Sequence, residues 1–141
     1  IFSTLRKFNV VNPNEIVTFT NTPINVGDGM DGGTGTFTAP VSGFYSFSFS
    51  AQGDTLAPYT DIVMYRNDVY DFRIADHNKN GNYDMGNIAY SWNIRLDQND
   101  RIYLKLTEES NSLFCSLSVY AWFNGHLLTF GLLHLIVILA F

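Results

Sequence analysis

The run Gly43-Phe-Tyr-Ser-Phe-Ser-Phe-Ser50 limits the architecture more than any other stretch of the chain. Tyr45, Phe47 and Phe49 alternate with Ser46, Ser48 and Ser50, a period of two that puts aromatics on one face and hydroxyls on the other. Three aromatics on one face of a strand need a second sheet to cover them. Pro40 cannot donate to a ladder and belongs at a strand edge or corner, and Gly43 lets the chain reverse. The stretch from Gly35 to Ser50 therefore reads as two extended runs joined by a corner.

The same pattern recurs along the chain. Ile88, Tyr90, Trp92, Ile94 and Leu96 alternate with Ala89, Ser91, Asn93 and Arg95, and the first set is expected to face the core. Ile102, Leu104 and Leu106 oppose Tyr103 and Lys105. Leu117, Val119, Ala121 and Phe123 oppose Ser118, Tyr120 and Trp122. Ile16 to Asn21 reads as a strand with Val17 and Phe19 on one face, interrupted by Pro23, with Ile24 to Val26 as a candidate continuation at an edge. Asn67-Asp68 separates two runs and tolerates the positive φ of a tight hairpin. No segment before residue 126 shows a 3.6-residue apolar period. Many short strands with regular turns predict an all-β sandwich or jelly roll.

Composition narrows the function. The 141 residues suffice for one domain with a real core, and 16% are aromatic. The net charge is −5 with only 8 basic residues, which argues against nucleic acid or an anionic membrane as main partner. A single cysteine, Cys115, excludes an intrachain disulfide; it reads as a small buried hydrophobe, with a reactive or interchain thiol as the other reading. The five glycines from Gly27 to Gly35 form a loop with no following helix or lysine in register, so it is not a phosphate cradle. Asn21-Thr22-Pro23 is not a glycosylation acceptor. The chain opens on Ile1, which leaves room for a removed signal peptide or N-terminal extension.

Two sites carry candidate chemistry. Asp76-His-Asn78-Lys-Asn80-Gly81-Asn82-Tyr-Asp84 matches the opening of a calcium loop, with oxygen ligands at alternate positions and a glycine at the turn. Position twelve is Asn87 rather than Glu and strands flank it, so it is not an EF-hand. A metal-free turn and a calcium site of another kind, with Asp76 and Asp84 charged and Asn78 and Asn80 neutral, remain the two readings. The second site is Tyr120 and Trp122, on the face opposite Val119. Large aromatics on both faces of that strand point to the core on one side and a neighbouring subunit on the other, or else to a half-exposed aromatic face. His77, His126 and His134 have no zinc spacing. No Ser or Cys has a base in a recognisable arrangement, so no enzyme is expected.

Gly35-Thr-Phe-Thr-Ala-Pro-Val-Ser-Gly-Phe-Tyr45 resembles the most distinctive run of the globular head domain of the complement C1q family, related in fold to tumour necrosis factor. Phe19-Thr20-Asn21, Asn25-Val26-Gly27 and Asp31 resemble its early strand and loop, and Arg66-Asn67-Asp68 its hairpin. Asn82-Tyr83-Asp84 with Asn87, then Leu96, Asn99-Asp100 and Ile102 to Leu106, follow in the family's order. Phe123-Asn-Gly-His-Leu-Leu128 is similar to its terminal segment, with His126 in place of an apolar residue. The likeness covers roughly residues 2 to 130.

The resemblance implies a ten-stranded jelly roll assembled as a compact homotrimer, secreted and extracellular. Family members often follow a collagen-like stalk, and no Gly-X-Y repeat is present here. Some bind calcium through the region of the Asp76 to Asp84 loop. The implied function is a non-enzymatic recognition module of innate immunity, lectin-like or protein-binding, with glycans, microbial surfaces or proteins as ligands. A signalling or scaffolding ligand for a specific cell-surface receptor is the alternative.

Residues 1–130 are read as the domain and 131–141 as an apolar tail of uncertain origin. The apolar run from Leu127 to Phe141 is 15 residues, broken by Thr129, Gly131 and His134. A bilayer span needs about 20, so no complete transmembrane helix is expected. Translation past the natural end, a tail packed on the trimer or a membrane, and the start of a truncated span remain open.

Overall fold

The computed structural model describes residues 1–6, 11–52, 59–77, 87–107 and 121–130. They carry ten strands: β1 (Phe2–Arg6), β2 (Asn21–Asn25), β3 (Met30–Asp31), β4 (Thr36–Thr38), β5 (Gly43–Gln52), β6 (Tyr59–Arg66), β7 (Val69–His77), β8 (Asn87–Leu96), β9 (Arg101–Leu106) and β10 (Ala121–Phe130). They form two five-stranded antiparallel sheets, ordered β2-β1-β10-β5-β8 and β3-β4-β9-β6-β7. This is the jelly-roll sandwich that the alternating runs predict.

β5 is central to the first sheet, pairing with β8 from Gly43↔Leu96 to Gln52↔Asn87 and with β10 from Gly43↔Phe130 to Ser50↔Trp122. Its alternation becomes burial: Tyr45, Phe47 and Phe49 enter the core and the intervening serines face outward. Phe47 lies at the middle of an aromatic cluster, with ring centroids 5.3 Å from Phe37, 5.5 Å from Trp92 and 5.7 Å from Phe123. Phe37 belongs to the second sheet and Phe123 to the first, so this cluster joins the two layers. Ile62, Met64, Ile102, Leu104 and Leu106 complete the core from the second sheet.

Local chemistry sets the corners. Asn67 (φ 52°) and Asp68 (φ 68°) both take the left-handed conformation of a two-residue hairpin, whose twist matches that of the strands. The Asn67 amide donates to Asp100 at 2.7 Å, and its oxygen accepts the Arg101 N–H at 2.9 Å, so the hairpin is tied to the start of β9. At the Pro40 corner the Tyr45 hydroxyl donates to the Val41 carbonyl at 2.6 Å, and burial pushes that phenol's pKa up.

Three expectations need correction. Pro23 lies inside β2 rather than interrupting it, and Ile24 continues the strand at an edge as expected. β2 is an edge strand, where a missing N–H costs no ladder bond. The run from Ile16 buries Val17 and Phe19 on one face as expected, but its ladder reduces to a bridge at Ile16 and scattered backbone bonds. Tyr90, expected in the core, is 46% exposed. Its strand, β8, is an edge with a single neighbour, and Tyr90 is left uncovered within a row that is buried at both ends, at Ile88 and Leu96.

Candidate functional site

The outward face of the first sheet follows from register. Trp122 pairs with Ser50, Asn124 with Ser48 and His126 with Ser46. Across β5, Ser50 pairs with Ala89, Ser48 with Ser91 and Ser46 with Asn93. Side chains paired in register share a face. Three adjacent strands thus present small hydroxyl, amide and methyl groups, and a shallow depression of about 450 Å³ lies over Ser48, Ser50, Ser91 and Asn124. Trp122, 45% exposed, stands at one side of it, and the β8 edge bounds the other, where Tyr90, paired with the buried Phe49, belongs to the inner face of the strand.

Beyond Tyr90 the apolar surface continues around the open edge of the sandwich. β7 and β8 are edge strands of different sheets, and their side chains meet there. Phe72 packs on Trp92 edge-to-face at 5.2 Å and on Tyr90 at 5.6 Å. Phe72 and Trp92 are partly buried against the core.

The opposite outer face, on the second sheet, is built differently. Tyr65 and Tyr103, paired across β6 and β9, stack at 5.1 Å with planes 7° apart. The Tyr103 hydroxyl donates to Asp68 at 3.3 Å, and Asp68 also pairs with Arg101. Burial raises the Tyr103 pKa, and the Asp68 carboxylate adds to the effect. Asp61 is buried in an ion pair with Arg73. The cations of this face are largely matched: Arg66 with Asp71, Arg73 with Asp61 and Arg101 with Asp68.

Of the residues singled out from sequence, Trp122 is on the outward face, away from the core neighbours Ala121 and Phe123. Tyr120 lies outside the described residues. So do Asn78, Asn80 and Asp84, while Asp76 is placed by its backbone at the end of β7, opposite Thr60. Cys115 and the 131–141 tail are likewise outside. Among the described residues no group of acids, histidines and cysteines gathers as a metal centre. Sequence reading noted the serine row of β5 without giving it a role. Its importance depends on the β8 and β10 partners, which are distant in sequence.

The C1q domain family model matches residues 1–128. The chain belongs to the C1q domain family. The C1q domain of this chain is similar in fold to the globular domain of zebrafish complement 1qA protein, with a TM-score of 0.74 at 21% identity over 92% of this chain and 98% of that one. It is also similar to Eiger TNF from S. frugiperda (TM-score 0.65, 13% identity, 92% and 94% covered) and to murine APRIL (TM-score 0.60, 15% identity, 86% and 96% covered). No curated protein matches by sequence. Among the described residues no helix is long and apolar enough to cross a membrane.

Proposed function

We propose that this C1q domain is a secreted, non-enzymatic recognition module that works as a homotrimer. C1q and TNF-like domains commonly form trimers and bind protein ligands, and C1q domain proteins are typically extracellular. The observation that carries the assembly reading is the small-residue face of Ser46, Ser48, Ser50, Ala89 and Ser91 beside the exposed Trp122, next to the open edge that carries Tyr90. Small groups let another polypeptide approach the sheet closely, and the flanking aromatics supply the apolar area that anchors an interface. The Phe72–Tyr90 edge is a different surface from that face. Edge-to-face contact between copies is therefore heterologous and closes as a ring when the rotation is a third of a turn. Sedimentation of the full chain tests this: a species of three times 15.9 kDa is expected, and a strict monomer at micromolar concentration removes the proposal.

Ligand binding rests on the family and on the avidity of three copies. A glycan and microbial-surface array separates the two readings. Broad, weak carbohydrate binding supports recognition in innate immunity, whereas one tight protein receptor and no glycan supports a signalling or scaffolding ligand. Calcium at Asp76, Asn78, Asn80 and Asp84 is supported by residue type and spacing alone. It predicts a melting temperature that falls on adding chelator and recovers with calcium; no shift removes the ion from the proposal.

A further inference from the structure

The second sheet carries a pair of tyrosines that the assembly reading does not use. Tyr65 on β6 and Tyr103 on β9 are cross-strand partners. Their rings stack at 5.1 Å with planes 7° apart, and both are half-buried, so the pair is held by its neighbours yet open to solvent. Parallel planes turn the π faces of the two rings toward each other. Tyr65 has a second cross-strand partner, Tyr70 on β7, but β6 and β7 shift register beside it. Among the described residues no ring contact joins Tyr65 to Tyr70, which is 57% exposed.

The pair also has a proton acceptor in place. The Tyr103 hydroxyl donates to Asp68 Oδ1, and Arg101 donates to the other oxygen of the same carboxylate. Burial and that carboxylate raise the Tyr103 pKa, so the phenol keeps its proton at neutral pH. A protonated phenol gives up an electron far more readily when its proton leaves too, and a carboxylate within hydrogen-bond reach can take it.

We propose that Tyr65 and Tyr103 are an oxidative modification site, joined as dityrosine within one chain by hydrogen peroxide and a haem peroxidase. Each phenol loses one electron to the oxidised haem and one proton, that of Tyr103 to Asp68 and that of Tyr65 to water. The two phenoxyl radicals join by a single bond between ring carbons next to the oxygens. Each of those carbons then releases its hydrogen as a proton, and each oxygen takes a proton back, which restores both phenols. In sum, two tyrosines and one peroxide become one dityrosine and two waters. The stack lies on the sheet opposite the small-residue face, so the link does not depend on assembly. It closes a loop between β6 and β9, which restricts the unfolded chain and favours the fold.

Treatment of the full chain with hydrogen peroxide and a haem peroxidase tests this. The expected product has blue dityrosine fluorescence and the mass of one chain less two hydrogens. Trypsin should release the peptide that ends at Arg66 joined to the peptide 102–105, with fragmentation placing the bond at Tyr65 and Tyr103. Tyr65→Phe and Tyr103→Phe keep the rings and should each abolish that linked peptide, while Tyr70→Phe should leave it unchanged. Circular dichroism checks that the variants fold. Asp68→Asn keeps a hydrogen-bond acceptor but loses the base, so the link should form about tenfold more slowly at neutral pH. That gap should close as the pH rises and the phenol ionises in solution. No dityrosine, a product of two-chain mass, a bond from Tyr65 to Tyr70 in place of Tyr103, or a linked peptide that survives either of the first two variants overturns the proposal. An Asp68→Asn rate equal to wild type at neutral pH overturns the role given to Asp68.

Discussion

Thr4 and Phe123 exchange two hydrogen bonds in the core: the Thr4 hydroxyl donates to the Phe123 carbonyl at 2.7 Å and accepts the Phe123 N–H at 3.2 Å. Both residues are fully buried, and they face each other across β1 and β10. Thr4→Val keeps the shape and removes both bonds. Unmade hydrogen bonds in a buried site cost about 1–3 kcal/mol. Thr4→Ser keeps the hydroxyl and loses one methyl, about 0.8 kcal/mol. Urea unfolding should rank wild type above Ser and Ser above Val, with no change in slope; a Val variant as stable as wild type would show that the hydroxyl contributes nothing.

Gly125 sits two residues further along the same strand. Its φ is not positive, so glycine is not there for its backbone freedom. It is there for space: an added Cβ would lie 2.5 Å from Phe2 Cε1 and 2.6 Å from Phe47 Cδ1. Both rings are held in the aromatic cluster and have little room to move. Gly125→Ala is expected to cost about 1–3 kcal/mol through overpacking. Phe47→Leu should relieve part of the clash, so the double variant loses less than the sum of the singles. Additive losses in thermal unfolding would mean that the strain is not between these two positions.

The parts of this fold legible in sequence are those with a local cause. Tyr45, Phe47 and Phe49 are buried because a period of two is a property of the strand itself. Asn67 and Asp68 turn because their residue types tolerate positive φ. Tyr90 misled for a physical reason: its row is in phase with the buried Ile88 and Leu96, but β8 is an edge strand with one neighbour, and nothing local reports which position of an edge row the opposite sheet leaves uncovered. Pro23 was half legible: the edge position of Ile24 is there, but the interruption is not, since a proline that would break a central strand is harmless on an edge. The outward serine face needed the Ser48↔Asn124 and Ser48↔Ser91 pairings, each more than forty residues apart in sequence. The Asp76 to Asp84 loop was legible as ligand chemistry only, and its ligand geometry lies outside the described residues.

Two tyrosines carry a pH dependence. Burial raises the pKa of Tyr45, and burial together with the Asp68 carboxylate raises that of Tyr103. A phenol titrates near 10 in the unfolded chain. Below that pH both states keep the proton and the contribution to stability is full. As the pH rises through the raised folded values, the unfolded chain has already gained by ionising, so stability falls. Absorbance titration near 295 nm should show a class of tyrosines ionising later than the rest, reduced by Tyr103→Phe and absent after denaturation. A single tyrosine class at the ordinary pKa in the folded protein contradicts this.

Ser48 decides the assembly question most directly. It lies at the centre of the outward face, between Asn124 and Ser91, and its side chain is partly exposed. Ser48→Arg should leave the isolated domain nearly as stable as wild type, because surface substitutions usually change stability by no more than about 0.5 kcal/mol. In each of the three edge-to-face contacts of the ring one guanidinium would then be buried without a partner, and desolvating it unpaired costs several kcal/mol per ion. Sedimentation should therefore shift from trimer to monomer at the same concentration, with the circular dichroism spectrum unchanged. Arg73→Ser on the opposite sheet is the wrong control, since it breaks the buried pair with Asp61; Thr36→Arg on the outward face of the second sheet is the right one. If Thr36→Arg dissociates the protein and Ser48→Arg does not, copies meet through the second sheet, and the small-residue face is free for ligand.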